Sequence, residues 1–570
     1  MDRHPEALTK TPPARSKPIP RAERWTAAVL LLAALALRCF YIFRFRYDSD
    51  EPQHLHTTWG WTQGLLQYRD FFDNHTPLFH LLFSPLVAAL GERADILDFM
   101  RFAMVPLWFV ALWAVWHIGS RLFSRRAGLW AAVFIALLPW WFFCALEYRT
   151  DNLWAPLWLC ALAVLLTGKL TFKRAFAGGL LLGLCCCTSM KTSLLLSVSA
   201  MAAGAAPQIC ARRFDRPAFI HGLKHALLIF AGLLIVPAIV CGFFAAQGCW
   251  KEFYYCVIQH NMMPTVDANV HHWSKRLAFP LALPGLLYLA SLVARSSPNP
   301  ALTVRRVFLF LFAGLYYVSL DSFWALITRQ DYLPFYPVAA LVAAPLVIWL
   351  IETANLAARR TVILAVIAVG EIAFLLGGRP PSVDGTRDER EIVHEVLQLT
   401  KPGERVMDFK GESVFRQRAF YYVIEPLTFR RMKLKTIEDT IPKELAERQV
   451  HVVVNRDRWY QEDTRLFIME NYLNVGQVRV AGRMLSKDQT APDMSIPFRV
   501  EIPARYVLWA EGKPVRGILD GQPYDGARDL VPGPHTFRPE GVYRRLALFW
   551  ERAAEAGYAP TLNQACQFER

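Results

Sequence analysis

Long apolar runs alternate with short polar connections over the first two thirds of the chain, and the alternation stops near residue 380. Runs at 25–43, 99–119, 127–145, 152–168, 175–190, 192–206, 225–247, 277–295, 306–322, 332–351 and 361–378 are each close to the roughly 20 residues that cross a ~30 Å hydrocarbon layer. They predict a polytopic α-helical membrane protein with roughly eleven spans, because in lipid only helices and closed barrels satisfy their own backbone. The run at 77–90 is shorter and is expected to re-enter or rest on the membrane. Residues 1–23 are polar and Pro-rich and read as a disordered tail, with no short apolar segment and cleavage site of a signal peptide.

The connections sort by charge. Arg121, Arg125 and Arg126; Lys169, Lys173 and Arg174; Arg212, Arg213 and Arg216; Arg295, Arg305 and Arg306; and Arg359 and Arg360 fall in alternate connections. The positive-inside rule puts these, and the N-terminus, in the cytoplasm. The opposite side receives the first loop at 44–98, Glu147 to Asp151, Ser189 to Lys191, the loop at 247–276, and Asp321 to Asp331. In the first loop Asp50 followed by Pro52 reads as a helix start, and Leu55, Trp59 and Leu66 predict a short amphipathic helix lying in the interface.

Past residue 380 the pattern changes to that of an extracytoplasmic domain. A helical EREIVHEVLQLT, the strand-like RVMDF and HVVV give an α/β part at 381–490. Short strand lengths between EGKP, DGQP (with Asp520-Gly521) and PGPH turns give a β-rich, sandwich-like part at 491–570.

Composition agrees with a membrane chain: 54% hydrophobic, 19% charged, where soluble proteins carry about 25% charged residues. The net charge of +15 resides largely in the short connections, so it does not imply a nucleic-acid partner. The eleven cysteines show no metal-ligand spacing. Cys249 and Cys256 share an outer loop where a disulfide is open.

The candidate chemistry lies at the outer edge. Asp50 and Glu51 have a plain reading as helix cap and dipole partner, yet Asp73 and His75 return to the same surface, with His54 between. Arg149, Lys191 and Arg329 reach it from three other connections. Outward cations run against the positive-inside bias, so each asks for a partner, although Arg149 lies two residues from both Glu147 and Asp151. Such a set suits a lipid-linked phosphate at head-group level: cations stabilise the leaving phosphate, and a carboxylate takes the acceptor's proton. The aromatic loop at 247–276 (Trp250, Phe253, Tyr254, Tyr255) reads as an interfacial belt, or as a sugar-stacking gate.

An ordered series of short motifs over about 25–380 resembles the GT-C superfamily, and within it glycosyltransferase family 39, which includes protein O-mannosyltransferases and lipid A aminoarabinose transferases. The series is Asp50-Glu51, Asp73 before Pro77, Arg149-Thr150-Asp151, Lys191, and Arg329 to Pro337. Lys191 is followed by Thr where that family has Gly, and Gln330-Asp331 interrupts the usual arginine-tyrosine step. The resemblance implies catalytic Asp50, Glu51 and Asp73, with Asp50 as the base; donor-phosphate contacts at Arg149, Lys191 and Arg329; and an acceptor or metal shell at His54, His75 and Asp151. Some relatives bind a divalent metal with first-loop acids, which would fall on Asp50 and Asp73; the sequence does not demand one.

The expectation is an inverting glycosyltransferase of a bacterial inner membrane, with a periplasmic C-terminal domain. It would move a sugar from a polyprenyl phosphate to a glycan, lipid or protein acceptor. The rival classes are a transporter or flippase for a lipid-linked sugar, which calls for ionisable groups at mid-span, and a sensor whose outer domain is the working part.

Overall fold

The computed structural model describes residues 18–210, 216–262, 270–295, 299–324, 327–456, 458–485, 495–543 and 545–561. The tail up to residue 17, Arg212, Arg213 and part of the aromatic loop (263–269) lie outside the described residues.

The apolar runs are helices. They are α1 (Arg21–Ile42), α2 (Asp50–Thr62), α3 (Leu78–Leu90), α4 (Ile96–Phe102), α5 (Val105–Leu122), α6 (Arg125–Leu137), α7 (Pro139–Cys144) and α8 (Asp151–Leu166). Then come α9 (Phe172–Thr188), α10 (Thr192–Cys210), α11 (Arg216–Ala246), α12 (Trp250–Tyr254), α13 (Val270–Arg295), α14 (Pro300–Phe323), α15 (Phe335–Thr353) and α16 (Arg360–Gly378). Among the described residues, 8 helices are long and apolar enough to cross a membrane, while α3 and α8 are shorter apolar helices. The run at 127–145 is two helices because Leu138, held before Pro139, leaves the helical region at ψ 113°.

Apolar side chains such as Leu281 (76% exposed), Ile239 and Val366 project outward from the bundle, as side chains facing lipid do. Inside, α9 and α11 approach through glycines: a Cβ on Gly179 would lie 2.1 Å from the Ile229 carbonyl oxygen, and one on Gly232 2.4 Å from that of Phe176. Small residues of this kind let membrane helices pack by backbone contact.

One end of the bundle gathers the basic connections. Arg126 and Arg360 converge on the buried Glu23, Arg306 donates to the Leu122 carbonyl, and Arg305 donates to those of Leu166 and Gly168. The acidic first loop and residues 147–151, 189–191 and 327–334 meet at the other.

The region after α16 opens with α17 (Arg387–Leu399), followed by two sheets. The strands are β1 (Val406–Met407), β2 (Val452–Val454), β3 (Tyr472–Asn474), β4 (Val478–Leu485), β5 (Ile496–Val500), β6 (Ala504–Ala510), β7 (Lys513–Pro514), β8 (Gly517–Leu519), β9 (Gln522–Tyr524), β10 (Arg528–Leu530), β11 (Gly533–Pro539) and β12 (Leu546–Trp550). The first sheet runs β1-β2-β4-β12-β6-β10, with β3 on β4 and β7 on β6; the second runs β5-β11-β8-β9. The expected division near residue 490 lies outside the described residues, and strands from either side of it share the first sheet. The first half of β4 pairs with β2 and β3, and its second half with β12. One long strand thus satisfies backbone groups from both parts. Asp520 and Gly521, with φ of 50° and 76°, form the two-residue turn between β8 and β9, as the DG signal predicts.

This domain caps the acidic end of the bundle. Arg390 pairs with Asp98 at 2.8 Å, Arg416 with Glu92 at 2.8 Å, and Glu425 accepts from His260 at 3.0 Å. The cap changes the reading of α2. Glu51 through Gly60 are all buried, so α2 is an enclosed helix between α3 and the C-terminal domain rather than an amphipathic helix lying in an interface. Ser49, not Asp50, occupies the cap position, and it makes no capping hydrogen bond. Cys249 and Cys256 are free, buried thiols.

Candidate active site

Asp50 is the first residue of α2, and its carboxylate receives two cations. Arg149 Nη1 lies 2.8 Å from Oδ2, and Lys410 Nζ lies 2.5 Å from Oδ1. Arg149, at the turn before α8, also contacts Asp48 and reaches Asp151 at 3.4 Å. Asp151 accepts from Lys191 Nζ at 3.2 Å, and Lys191 in turn pairs with Asp331. Five segments far apart in sequence thereby form one chain of alternating charge: Lys410, Asp50, Arg149, Asp151, Lys191, Asp331. Asp331 is wholly buried and Arg149 and Asp151 nearly so, whereas Asp50 (19% exposed), Lys191 (20%) and Lys410 (15%) keep an open side.

Burial alone would raise the Asp50 carboxyl, but Arg149 and Lys410 outweigh it and hold it well below the usual carboxylate range. Burial works against the Lys191 ammonium, yet Asp151 and Asp331 raise it above the ordinary lysine value. Glu147 behaves oppositely. Burial and the neighbouring Asp48 push its carboxyl well up, and Gln330 Nε2 donates to it at 2.6 Å. Gln330 and Asp331, which follow Arg329, thus carry partners here, Gln330 for Glu147 and Asp331 for Lys191.

Asp73 anchors a second, adjoining cluster. Its Oδ1 accepts from Gln53 and His75, each at 2.9 Å, and its Oδ2 from Gln67 at 2.7 Å. The His54 ring lies 4.4 Å, centroid to centroid, from that of His75, and its Nδ1 is 3.0 Å from His80 Nε2. Burial, with His75 and His80 close by, pushes His54 well down and keeps it neutral at pH 7. Asn261, beyond α12, donates to the Asn74 carbonyl at 2.9 Å, so the described part of the aromatic loop braces this cluster. In that loop Phe253 is buried while Trp250 and Tyr254 are exposed.

Two predicted site residues stand outside this chain of ion pairs. Glu51 is sealed in a pair with Arg101, both 0% exposed, and also accepts from the backbone N–H groups of Asp48 and Tyr148 at 2.8 Å each. Its surroundings are those of a structural carboxylate. Arg329 is exposed and forms no ion pair with the described residues; it borders the site through its neighbour Gln330.

Asp50 and Asp73 do not fit a shared divalent metal. Asp50 already faces two cations, the Asp73 oxygens are taken by three hydrogen-bond donors, and among the described residues no group of three or more His, Cys, Asp or Glu side chains is arranged to hold a metal ion.

His56, one turn beyond Pro52 on α2, ties the cap down: its Nδ1–H donates to the Val414 carbonyl at 2.8 Å. Burial, with Arg418 nearby, pushes it from 6.5 down to about 4. The unfolded chain takes up a proton near 6.5, so the stability His56 contributes is complete above that pH and is lost as the pH falls toward 4. Thermal melting should drop between pH 7 and 4.5, and drop less in His56→Asn; equal drops would show that His56 is not responsible.

Against known proteins, no family model matches the chain, and no curated protein matches it. Among solved structures it is similar to ArnT from Cupriavidus metallidurans in the apo state, with TM-score 0.54 and 15% identity over 81% of this chain and 98% of that one. The same protein bound to undecaprenyl phosphate gives TM-score 0.54 and 14% identity over 80% and 98%. The fold is GT-C-like. The Archaeoglobus fulgidus oligosaccharyltransferase, in complex with Zn and sulfate, is less similar, with TM-score 0.44 and 13% identity over 78% of this chain and 71% of that one. On the GT-C-like fold of this chain, Asp50, Arg149, Asp151 and Lys191 stand together at the end of the bundle beneath the C-terminal domain.

Proposed function

We propose that this protein is an inverting glycosyltransferase that takes a sugar from a polyprenyl phosphate at the membrane surface and passes it to an acceptor hydroxyl or amine. The observation that carries this reading is the ion chain from Lys410 to Asp331, open at Asp50, Lys191 and Lys410, at the capped end of a GT-C-like bundle. ArnT, of similar fold, is the neighbour bound to undecaprenyl phosphate. In this reading Lys191 and the exposed Arg329 receive the donor phosphate, and Arg149 orients Asp50. Asp50 takes the acceptor's proton, while the Asp73, His75 and His54 cluster shapes the acceptor side. Holding donor and acceptor at one surface supplies proximity, and fixed cations stabilise the charge that grows on the leaving phosphate. The basic end of the bundle then faces the cytoplasm and the capped end the periplasm, in keeping with the distribution of arginines.

The test is the full chain in liposomes with a labelled polyprenyl-phosphate sugar and extracts of surface glycan and lipid. Release of polyprenyl phosphate together with label in an acceptor supports the reading. Movement of intact labelled donor across the bilayer without release overturns it in favour of a flippase.

A further inference from the structure

The C-terminal domain contributes a lysine to a site that otherwise belongs to the membrane bundle. Lys410 follows β1 in a loop built with little freedom. Asp408 accepts from the backbone N–H groups of Gly411 and Ser413 at 3.0 Å each, from the Ser413 hydroxyl at 2.5 Å, and from Arg418 Nε at 2.7 Å. Gly411, at φ +86°, presses against α2 so closely that a Cβ there would come within 2.6 Å of the His56 Cβ and 3.1 Å of the Pro52 carbonyl oxygen. The loop is thus pinned to the first turns of α2, and from it Lys410 extends a flexible stem to Asp50.

The three cations near Asp50 differ in how firmly they are held. Arg149 contacts Asp48, Asp50 and Asp151, and Lys191 contacts Asp151 and Asp331. Among the described residues Lys410 makes one ion pair, with Asp50, and a 3.4 Å contact to the Ser49 hydroxyl, while Glu425 acts on its charge from farther off. Besides the exposed Arg329 at its border, a phosphate arriving at this end meets Arg149 and Lys191, each shared between carboxylates, and Lys410, which has one ion pair to exchange for another. A lysine ammonium on a four-carbon stem can make that exchange without moving its backbone.

We propose that Lys410 is a donor-phosphate ligand supplied by the C-terminal domain, which leaves Asp50 for the phosphate when the lipid-linked sugar binds. The inference rests on the glycosyltransferase reading and adds a coupling to it. While Lys410 sits on Oδ1, that oxygen is occupied by a donor; once Lys410 turns to the phosphate, the same oxygen is free to accept a proton. In the transfer step the bond between the anomeric carbon and the phosphate oxygen breaks, and its electron pair stays on the phosphate, facing Lys410 and Lys191. The acceptor oxygen or nitrogen forms the new bond to that carbon, and its proton passes to Asp50 and then to water. Donor binding thereby uncovers the base, which guards against activating water before a sugar is present.

The experiment measures binding of undecaprenyl phosphate to the purified full chain, followed by steady-state transfer. Lys410→Met should weaken binding about tenfold or more, as loss of a charged hydrogen bond implies. The donor KM should rise while the acceptor KM is unchanged, and Lys410→Arg should restore most of both. A merely structural lysine would not divide the two KM values in this way. Asp50→Asn, which releases Lys410 from its partner, should bind undecaprenyl phosphate more tightly than the unaltered chain, and the double variant with Lys410→Met should lose that gain. If the unaltered chain binds and transfers while Lys410→Met binds equally well, or if the Asp50→Asn gain survives in the double variant, the role of Lys410 is overturned and the glycosyltransferase reading stands. If the unaltered chain neither binds undecaprenyl phosphate nor transfers, both fall.

Discussion

Replacing Asp50 with Asn should reduce sugar transfer by roughly 10²–10⁴-fold, the usual contribution of a positioned general base, in a chain that still folds. Folding is retained because Arg149 keeps Asp48 and Asp151 as partners after the Asp50 charge is gone. Asp48→Asn is the matched control. It removes a carboxylate from the same guanidinium but leaves the residue that faces both Arg149 and Lys410, so its effect on transfer should be much smaller. Transfer assays on equal amounts of folded protein decide the matter, and equal losses in the two variants would mean that charge balance around Arg149, rather than proton removal by Asp50, sets the rate.

Glu51→Gln should act on stability instead. In the native chain the Glu51 carboxylate accepts from Arg101 Nε at 2.8 Å and Nη2 at 2.5 Å, and from two backbone N–H groups. The guanidinium additionally donates to the carbonyls of Ile42, Phe45 and Arg46, so it cannot swing away to find another anion. Removing one partner of a fully buried pair typically costs about 3–5 kcal/mol, because the other charge is left without compensation. A lowered melting temperature and less protein in the membrane are expected, with residual transfer per folded molecule close to normal. A full-strength fold with no transfer would return Glu51 to the catalytic set.

The neighbouring pair Asp50-Glu51 shows what the sequence can and cannot convey. Both acids stand in the same motif, yet a helix sends consecutive side chains in different directions, one toward the open edge and one into the interior. The partner that seals Glu51, Arg101, is 50 residues away on α4. That the apolar runs form helices was legible because such a run is a local property of the chain, although 8 helices among the described residues, not eleven, are long and apolar enough to cross a membrane. The burial of α2 was not. Gln53, His54, His56, Thr57 and Thr58 have the composition of a solvated helix, and their enclosure depends on α3 and on a loop near residue 414. Lys410 was hidden for the same reason: a lysine and glycine after a short strand read as a turn, and its partner lies 360 positions earlier. Lys191, by contrast, stood out as a charge in an apolar stretch. Its partner Asp331 was visible as a departure from the family pattern, although only the folded chain joins the two. The EGKP and DGQP turns of the C-terminal domain were legible as local signals, while the joining of strands before and after residue 490 in one sheet required the long-range pairing of β4 with β12.

The most direct measurement is a structure of the full chain in lipid with undecaprenyl phosphate bound. The phosphate should lie within hydrogen-bonding distance of Lys191 or Lys410, beside Asp50 and under the C-terminal domain. A phosphate held instead at the opposite end, among Arg126, Arg306 and Arg360, would contradict the account.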